Sequence, residues 1–250
     1  MKRTPPLMLL LLLCAFALSA AADTGAMLRF SDATQGTKLP PGWTPYGLSR
    51  HVPLARIAVV QDGDQNALRI DADAATGAIT HPLDLPAATT LSWRWKVDHA
   101  VANADLSRKD GDDFAARVYV FFDLPESALS FGERFKLHLA QSVLGVDLPH
   151  AALCYVWDNH HPIGTIAPNA YYGGVRMIVL RSGNADAGRW QTQHRDLAAD
   201  FRAALGRTAP RITGVALASD TDNTGGHATA WFGDLVFAPT IAADAKEPIR

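Results

Sequence analysis

The chain has 250 residues, 48% of them hydrophobic, with 23 Lys and Arg against 25 Asp and Glu. That balance excludes a disordered or collagen-like polypeptide, and it supplies no global positive field to hold nucleic-acid phosphates. Two cysteines are too few for a cysteine zinc cage.

At the start of the chain, Lys2 and Arg3 precede an apolar run from Leu7 to Leu18 and then Ala20, Ala21 and Ala22. These are the charged, apolar and small-residue parts of a secretory signal, expected to be cleaved after Ala22. The run is shorter than the roughly 18 residues that a spanning helix needs. The expected organisation is therefore a leader over 1–22, a single domain over 23–240 and a flexible tail over 241–250. The mature protein is expected in the periplasm or outside the cell, without stable membrane insertion. Its balance would be 21 basic to 25 acidic residues, a net of −4. Cys14 would leave with the leader, and Cys154 reads as a lone buried thiol.

Residues 23–66 are rich in turn formers, including Pro40-Pro41-Gly42, with Trp43 and Tyr46 expected to pin the segment to the body. From Ala67 the period becomes two. Ala67–Asp71 reads as a short strand. In 91–97, Leu91, Trp93, Trp95 and Val97 fall on one face and Ser92, Arg94 and Lys96 on the other. In 115–122, Arg117, Tyr119 and Phe121 stand opposite Val118, Val120 and Phe122.

Phe131, Phe135, Leu139 and Val143 recur every four residues, which predicts an amphipathic helix over Ser130–Leu144 ended by Gly145. A strand begins at Cys154–Trp157 and another covers Val175–Arg181. A second helix is expected over Gln191–Leu205, closed by Gly206, before strands at Arg211–Ser219 and Ala228–Phe237. Many short alternating strands with few helices between them predict an all-β fold, a two-sheet jelly-roll-like β-sandwich with one or two inserted helices.

Four separated motifs carry a family resemblance: Trp93-Arg94-Trp95-Lys96-Val97, Gly111-Asp112-Asp113, Tyr155-Val156-Trp157 and Asp220-Thr221-Asp222-Asn223-Thr224. Together they resemble the domain of unknown function 3047 family of exported bacterial proteins, roughly from Trp43 to Phe237. The resemblance implies a β-sandwich and a secreted location, and it brings no catalytic residues with it, so chemistry must be argued from local groups.

The first candidate is a polar strand face of Arg94, Lys96, Arg117 and Tyr119, with Arg176 as a further member. If these strands share a sheet, forked guanidinium donors suit an acidic glycan or small anionic ligand. The competing reading is a solvated outer face with each cation paired to a carboxylate. Asp112 and Asp113 precede the Arg117 strand. Because consecutive extended residues point apart, only one should face a cleft, and a salt bridge to Arg94 or Arg117 is the expected job of either. Asp220, Asp222 and Asn223 are dense in oxygen ligands and could brace a structural calcium ion, although an EF-hand is excluded because its twelfth position is Trp231. No other cofactor is expected. His160 and His161 are a weaker metal or acid/base candidate, and Trp43, Trp157 and Trp190 are read as the freer rings, suited to sugar stacking.

The leading expectation is a non-catalytic binder of a carbohydrate or cell-envelope glycan. The alternative is a polysaccharide-cleaving enzyme, hydrolase or lyase, using Asp112 or Asp113 with Tyr119 or a histidine. An envelope assembly partner with no small ligand is the third reading. Nothing points to nucleic acid, and the oligomeric state is not legible.

Overall fold

The structure is a computed structural model describing residues 25–46, 52–144 and 149–240. The expected leader over 1–22, Gly145 and the tail over 241–250 lie outside the described residues. In chain order the elements are β1 (Ala26–Leu28), β2 (Thr44–Tyr46), β3 (Arg56–Asp62), β4 (Gln65–Asp73), β5 (Thr76–Leu85), β6 (Thr89–Val97) and β7 (Phe114–Phe122). Then come α1 (Phe131–Leu144), β8 (Ala151–Asp158), β9 (Ile166–Pro168), β10 (Val175–Ser182), β11 (Gln191–Asp196), α2 (Leu197–Leu205), β12 (Ile212–Asp220) and β13 (His227–Pro239).

Alternating burial sorts the strands into two layers. Leu91, Trp93, Trp95 and Val97 of β6 are buried while Ser92, Arg94 and Lys96 are only partly so. One sheet runs β11-β6-β13-β4-β3 with β1 also on β13, and the other runs β2-β5-β12-β7-β8-β10-β9. The chain passes repeatedly between the layers, giving the expected jelly-roll-like sandwich. Most pairings are antiparallel, but β8 and β10 are parallel. The core lies between the sheets, where Trp93 meets Tyr155 at 5.3 Å and Trp95 meets Trp157 at 5.9 Å between ring centroids. Such pairs add about 1 kcal/mol each beyond their buried area.

Several expectations are corrected here. The helix expected over Gln191–Leu205 is half strand: Gln191–Asp196 pairs with β6, and only Leu197–Leu205 is helical. The break falls at Asp196, whose carboxylate accepts the Ala199 N–H at 3.0 Å and caps the helix. Its far end is closed by Gly206 at φ 68°, as expected. Strands β3 and β5 were not anticipated, because Ala58, Gly77 and Pro82 interrupt the alternation that marks a strand. Trp43 and Trp157 are core rings rather than free ones, Trp43 packing on Phe30 at 5.3 Å and Trp157 donating its indole N–H to Gly183 O at 3.0 Å.

Helix α1 forms where expected, started by a reciprocal cap. Ser130 N–H donates to Glu133 Oε2 at 2.7 Å and Glu133 N–H to Ser130 Oγ at 3.3 Å. Its apolar stripe, however, does not face the core. Phe131, Phe135 and Leu139 are exposed, and Leu137 is the buried residue.

Candidate functional site

The sandwich separates the expected polar face. Arg94 and Lys96 lie on β6 in one sheet and Arg117 and Tyr119 on β7 in the other, so the two pairs look outward from opposite layers. The cause is connectivity: β6 and β7 are consecutive, but the chain crosses from one sheet to the other between them. Arg176 is corrected as well. Its register with Leu153, which pairs with Val120, puts it on the side of the sheet opposite Arg117.

On the first sheet, Lys96 Nζ donates to both Asp62 oxygens at 2.6 and 2.7 Å, and Trp190 Nε1–H donates to Asp62 Oδ2 at 2.7 Å. Arg94 donates to Gln65 at 2.5 Å and lies 4.4 Å over the Trp190 ring. These cations are committed to neighbours on their own face.

The outer face of the second sheet holds a cavity of about 350 Å³. Its floor is low because Ala216 and Ala218 of β12 stand beside Tyr119 and Arg117 of β7, leaving room above small side chains. Phe121, Ala78 and Val175 extend the apolar floor, while Asn169, Tyr171, Tyr172, Asp222 and Asn223 rise from loops as walls. Gly174 admits the Tyr172 wall, since a Cβ there would come within 2.3 Å of the Tyr172 ring.

Arg117 is 2% exposed and organises one end of the cavity. Its Nε–H donates to Asp220 Oδ1 at 2.9 Å, Nη2 lies 2.6 Å from Asp220 Oδ2 and donates to Asp112 O at 2.5 Å, and Nη1 donates to Tyr119 Oη at 3.2 Å. Nη1 also reaches Asp112 Oδ1 at 3.3 Å, the ion pair expected of one of the two aspartates. Asn169 Nδ2 bridges both Asp112 oxygens at 3.2 and 3.0 Å. Asp113, just ahead of β7, has a different set of partners. It is fully buried and accepts the N–H groups of Asn223 and Thr224 at 3.2 and 2.6 Å, the Asn223 amide at 3.2 Å and the Thr224 hydroxyl at 2.7 Å. Asp113 therefore clamps the β12–β13 loop over the cavity.

The site holds one guanidinium among four carboxylates, Asp112, Asp113, Asp220 and Asp222. Burial works against the charge on Arg117, but Asp112 and Asp220 outweigh it and hold its pKa well above the usual value. Burial pushes Asp220 up, Arg117 pulls it down, and Asp112 and Asp113 push it up again, to about 7. Asp222 is raised too, by burial and then by Asp113.

Asp113, Asp220 and Asp222 each bring a carboxylate oxygen within 4.8 Å of the others. In the set expected to hold calcium, two of the three side chains already have partners. Asp220 is taken by Arg117 and by the Phe114 N–H at 3.0 Å, and Asn223 Oδ1 accepts the Tyr171 hydroxyl at 3.2 Å. Asp222 alone of the three meets no side-chain donor among the described residues. His160 and His161 sit at the end of β8, where Asp158 Oδ2 accepts both of their backbone N–H groups at 2.8 and 2.6 Å.

Sequence reasoning missed Asn169, Tyr171 and Tyr172. Their signal was present in Asn169-Ala170-Tyr171-Tyr172-Gly173-Gly174, a glycine-rich aromatic loop between strands.

Fold and site together define a two-sheet β-sandwich with a polar-rimmed cavity on the outer face of one sheet. The family model described as protein of unknown function (DUF3047) matches residues 41–236, and the chain belongs to that family. No curated protein matches the chain. Among solved structures it is similar to the carbohydrate recognition domain of Emp47p, at 11% identity and TM-score 0.45 over 88% of this chain and 99% of that one. It is also similar to the native family 12 xyloglucanase from Bacillus licheniformis, at 8% identity and TM-score 0.43 over 85% and 98%. The glycoside hydrolase domain of Endo-D from Streptococcus pneumoniae R6 aligns at 12% identity and TM-score 0.30 with 82% of this chain, which spans only 22% of that chain.

Proposed function

We propose that the protein is a non-catalytic binder of a small neutral saccharide or saccharide terminus, held in the cavity on the outer face of the seven-stranded sheet. The observation that carries this reading is the charge arrangement: the cavity's one guanidinium is buried and fully paired, while carboxylate, amide and tyrosine groups remain at the walls. Asp222 keeps a carboxylate that meets no side-chain donor among the described residues, the Asn169 and Asn223 amides are hydrogen-bonded into the walls and hold them in place, and the tyrosine rings offer faces for sugar C–H groups. An acidic ligand would meet like charge, so the proposal departs from the anionic glycan expected from the sequence. A volume of about 350 Å³ sits at the small end of ligand sites, which favours one or two sugar rings over a long chain. The proposed setting is the periplasm or the cell exterior, following the leader pattern of residues 1–22.

The competing enzymatic reading draws on Asp220, whose raised pKa suits a general acid. Two features weigh against it. Both Asp220 oxygens face protein donors, and an Asp220 oxygen lies within 4.8 Å of one from Asp222. Glycoside-cleaving carboxylates stand about 5–9.5 Å apart, on either side of the bond.

A thermal-shift and calorimetric screen of neutral and uronic-acid oligosaccharides tests the proposal. A neutral sugar should raise the melting temperature, Asp222→Ala and Tyr171→Ala should abolish the rise, and Arg94→Ala should not. A panel on which only acidic sugars bind, or none does, contradicts it. Release of reducing ends or unsaturated products would favour the enzyme.

A further inference from the structure

We infer that α1 docks the protein reversibly onto an anionic lipid surface. Phe131, Phe135 and Leu139 are 80%, 63% and 54% exposed, and their spacing of four residues puts them in one stripe about 12 Å long. Three large apolar side chains in a row on a solvent-facing helix are unusual for a surface that meets only water. The helix is nonetheless fixed in place. Leu137, roughly 200° around the axis from Phe135, is 1% exposed, and Arg207 Nη2 grips Glu133 at 2.8 and 3.0 Å. The stripe is therefore presented outward by a helix whose other side is anchored.

Charge selects the occupant. Of the nearby acids, Glu133 is paired with Arg207 and Glu126 hydrogen-bonds the His138 ring at 3.0 Å. Arg134 and Lys136 have no acidic partner among the described residues, and α1 itself carries these two cations against one acid, Glu133, which Arg207 holds. A second copy of the chain docked through the same patch would bring two surfaces of like sign together. Anionic head groups supply the opposite sign, and the boundary with the acyl chains accepts the phenylalanine and leucine side chains. One such helix gives weak, peripheral attachment. No helix among the described residues is long and apolar enough to cross a membrane.

The test uses the full chain carrying Cys14→Ser and Gly132→Cys, with a nitrobenzoxadiazole label at the exposed Gly132 position. Cys154 is fully buried and stays unlabelled in the native protein. Because the label sits on α1, its fluorescence follows burial of that helix and not adsorption through the apolar segment Leu7–Leu18. Fluorescence should rise with vesicles of phosphatidylcholine and phosphatidylglycerol in equal parts, and not with phosphatidylcholine alone. Adding Phe131→Ser with Phe135→Ser, or Arg134→Glu with Lys136→Glu, should weaken the response by about tenfold with the circular dichroism spectrum unchanged. An absent response on mixed vesicles, or an equal response in either double variant, overturns the inference. So does a rise with protein concentration in the absence of lipid, which would mean that a second copy covers the stripe.

Discussion

Arg117 and Asp220 form a buried two-point ion pair at one end of the cavity, with Nε–H donating to Oδ1 at 2.9 Å and Nη2 lying 2.6 Å from Oδ2. The arginine read from the sequence as a ligand-facing group is the structural centre of a carboxylate cluster. Replacing it leaves several buried carboxylates with no counter-charge. Arg117→Met is expected to cost about 3–5 kcal/mol in urea unfolding. Asp220→Asn should cost much less, because the guanidinium keeps Asp112 and the cluster loses its excess negative charge.

The same excess fixes a pH dependence. Asp220 titrates at about 7 in the fold and near 3.9 in an unfolded chain. Between those values the folded protein holds the extra proton. The stability contributed by that proton is therefore complete below about pH 4 and is lost as pH rises to about 7, at no more than about 1.4 kcal/mol per pH unit. Unfolding free energies of the wild type minus those of Asp220→Asn should fall over that window. Carbon-13 shifts of the Asp220 carboxyl should give its midpoint directly, and a midpoint below 5 would contradict the charge accounting.

Cys154 stands beside Tyr119 in the register of β8 with β7. Burial pushes its thiol up to about 12, which keeps it protonated and unreactive while the fold is intact. In a Cys14→Ser background, Ellman's reagent should find no reactive thiol in the native protein and one after unfolding in guanidinium. Rapid native labelling would mean that the cavity floor opens.

In the β12–β13 loop Arg117 occupies Asp220 and Tyr171 occupies the Asn223 carbonyl, so a calcium ion held by the expected set would have to displace both contacts. Millimolar calcium should leave the melting temperature within about 1 °C of its value in chelator. A clear rise that is lost in Asp222→Ala would show that the cation displaces those contacts.

The layering of the fold is legible wherever strict alternation runs through large side chains. Trp93 and Trp95 on β6, and Val118 and Val120 on β7, identify their inward faces without coordinates. Alternation says which side of its own sheet a residue occupies, but not which sheet the strand joins. That is why Arg94 and Arg117 looked like neighbours. Period placed α1 but did not orient it. The stripe of Phe131, Phe135 and Leu139 is real, but a helix pattern does not say whether the apolar face meets the core or the outside. At the site, Asp112 and Asp113 precede β7, with Asp112 at φ −76° and ψ 56°, so the extended geometry assumed for them does not hold and their division of partners was not readable from alternation. Asn169, Tyr171 and Tyr172 were missed because a wall made of loops has no period to read, and their only mark is composition, a glycine-rich aromatic run.

Amide shift perturbation in nitrogen-15 spectra, with a neutral saccharide selected by the melting screen, places the ligand most directly. The account predicts that shifts concentrate at Asn169–Tyr172, Asp220–Asn223 and the central residues of β7, with Gln65, Arg94, Lys96 and Trp190 unmoved. Shifts gathered around Arg94, Lys96 and Trp190 instead would put the binding surface on the opposite sheet and contradict it.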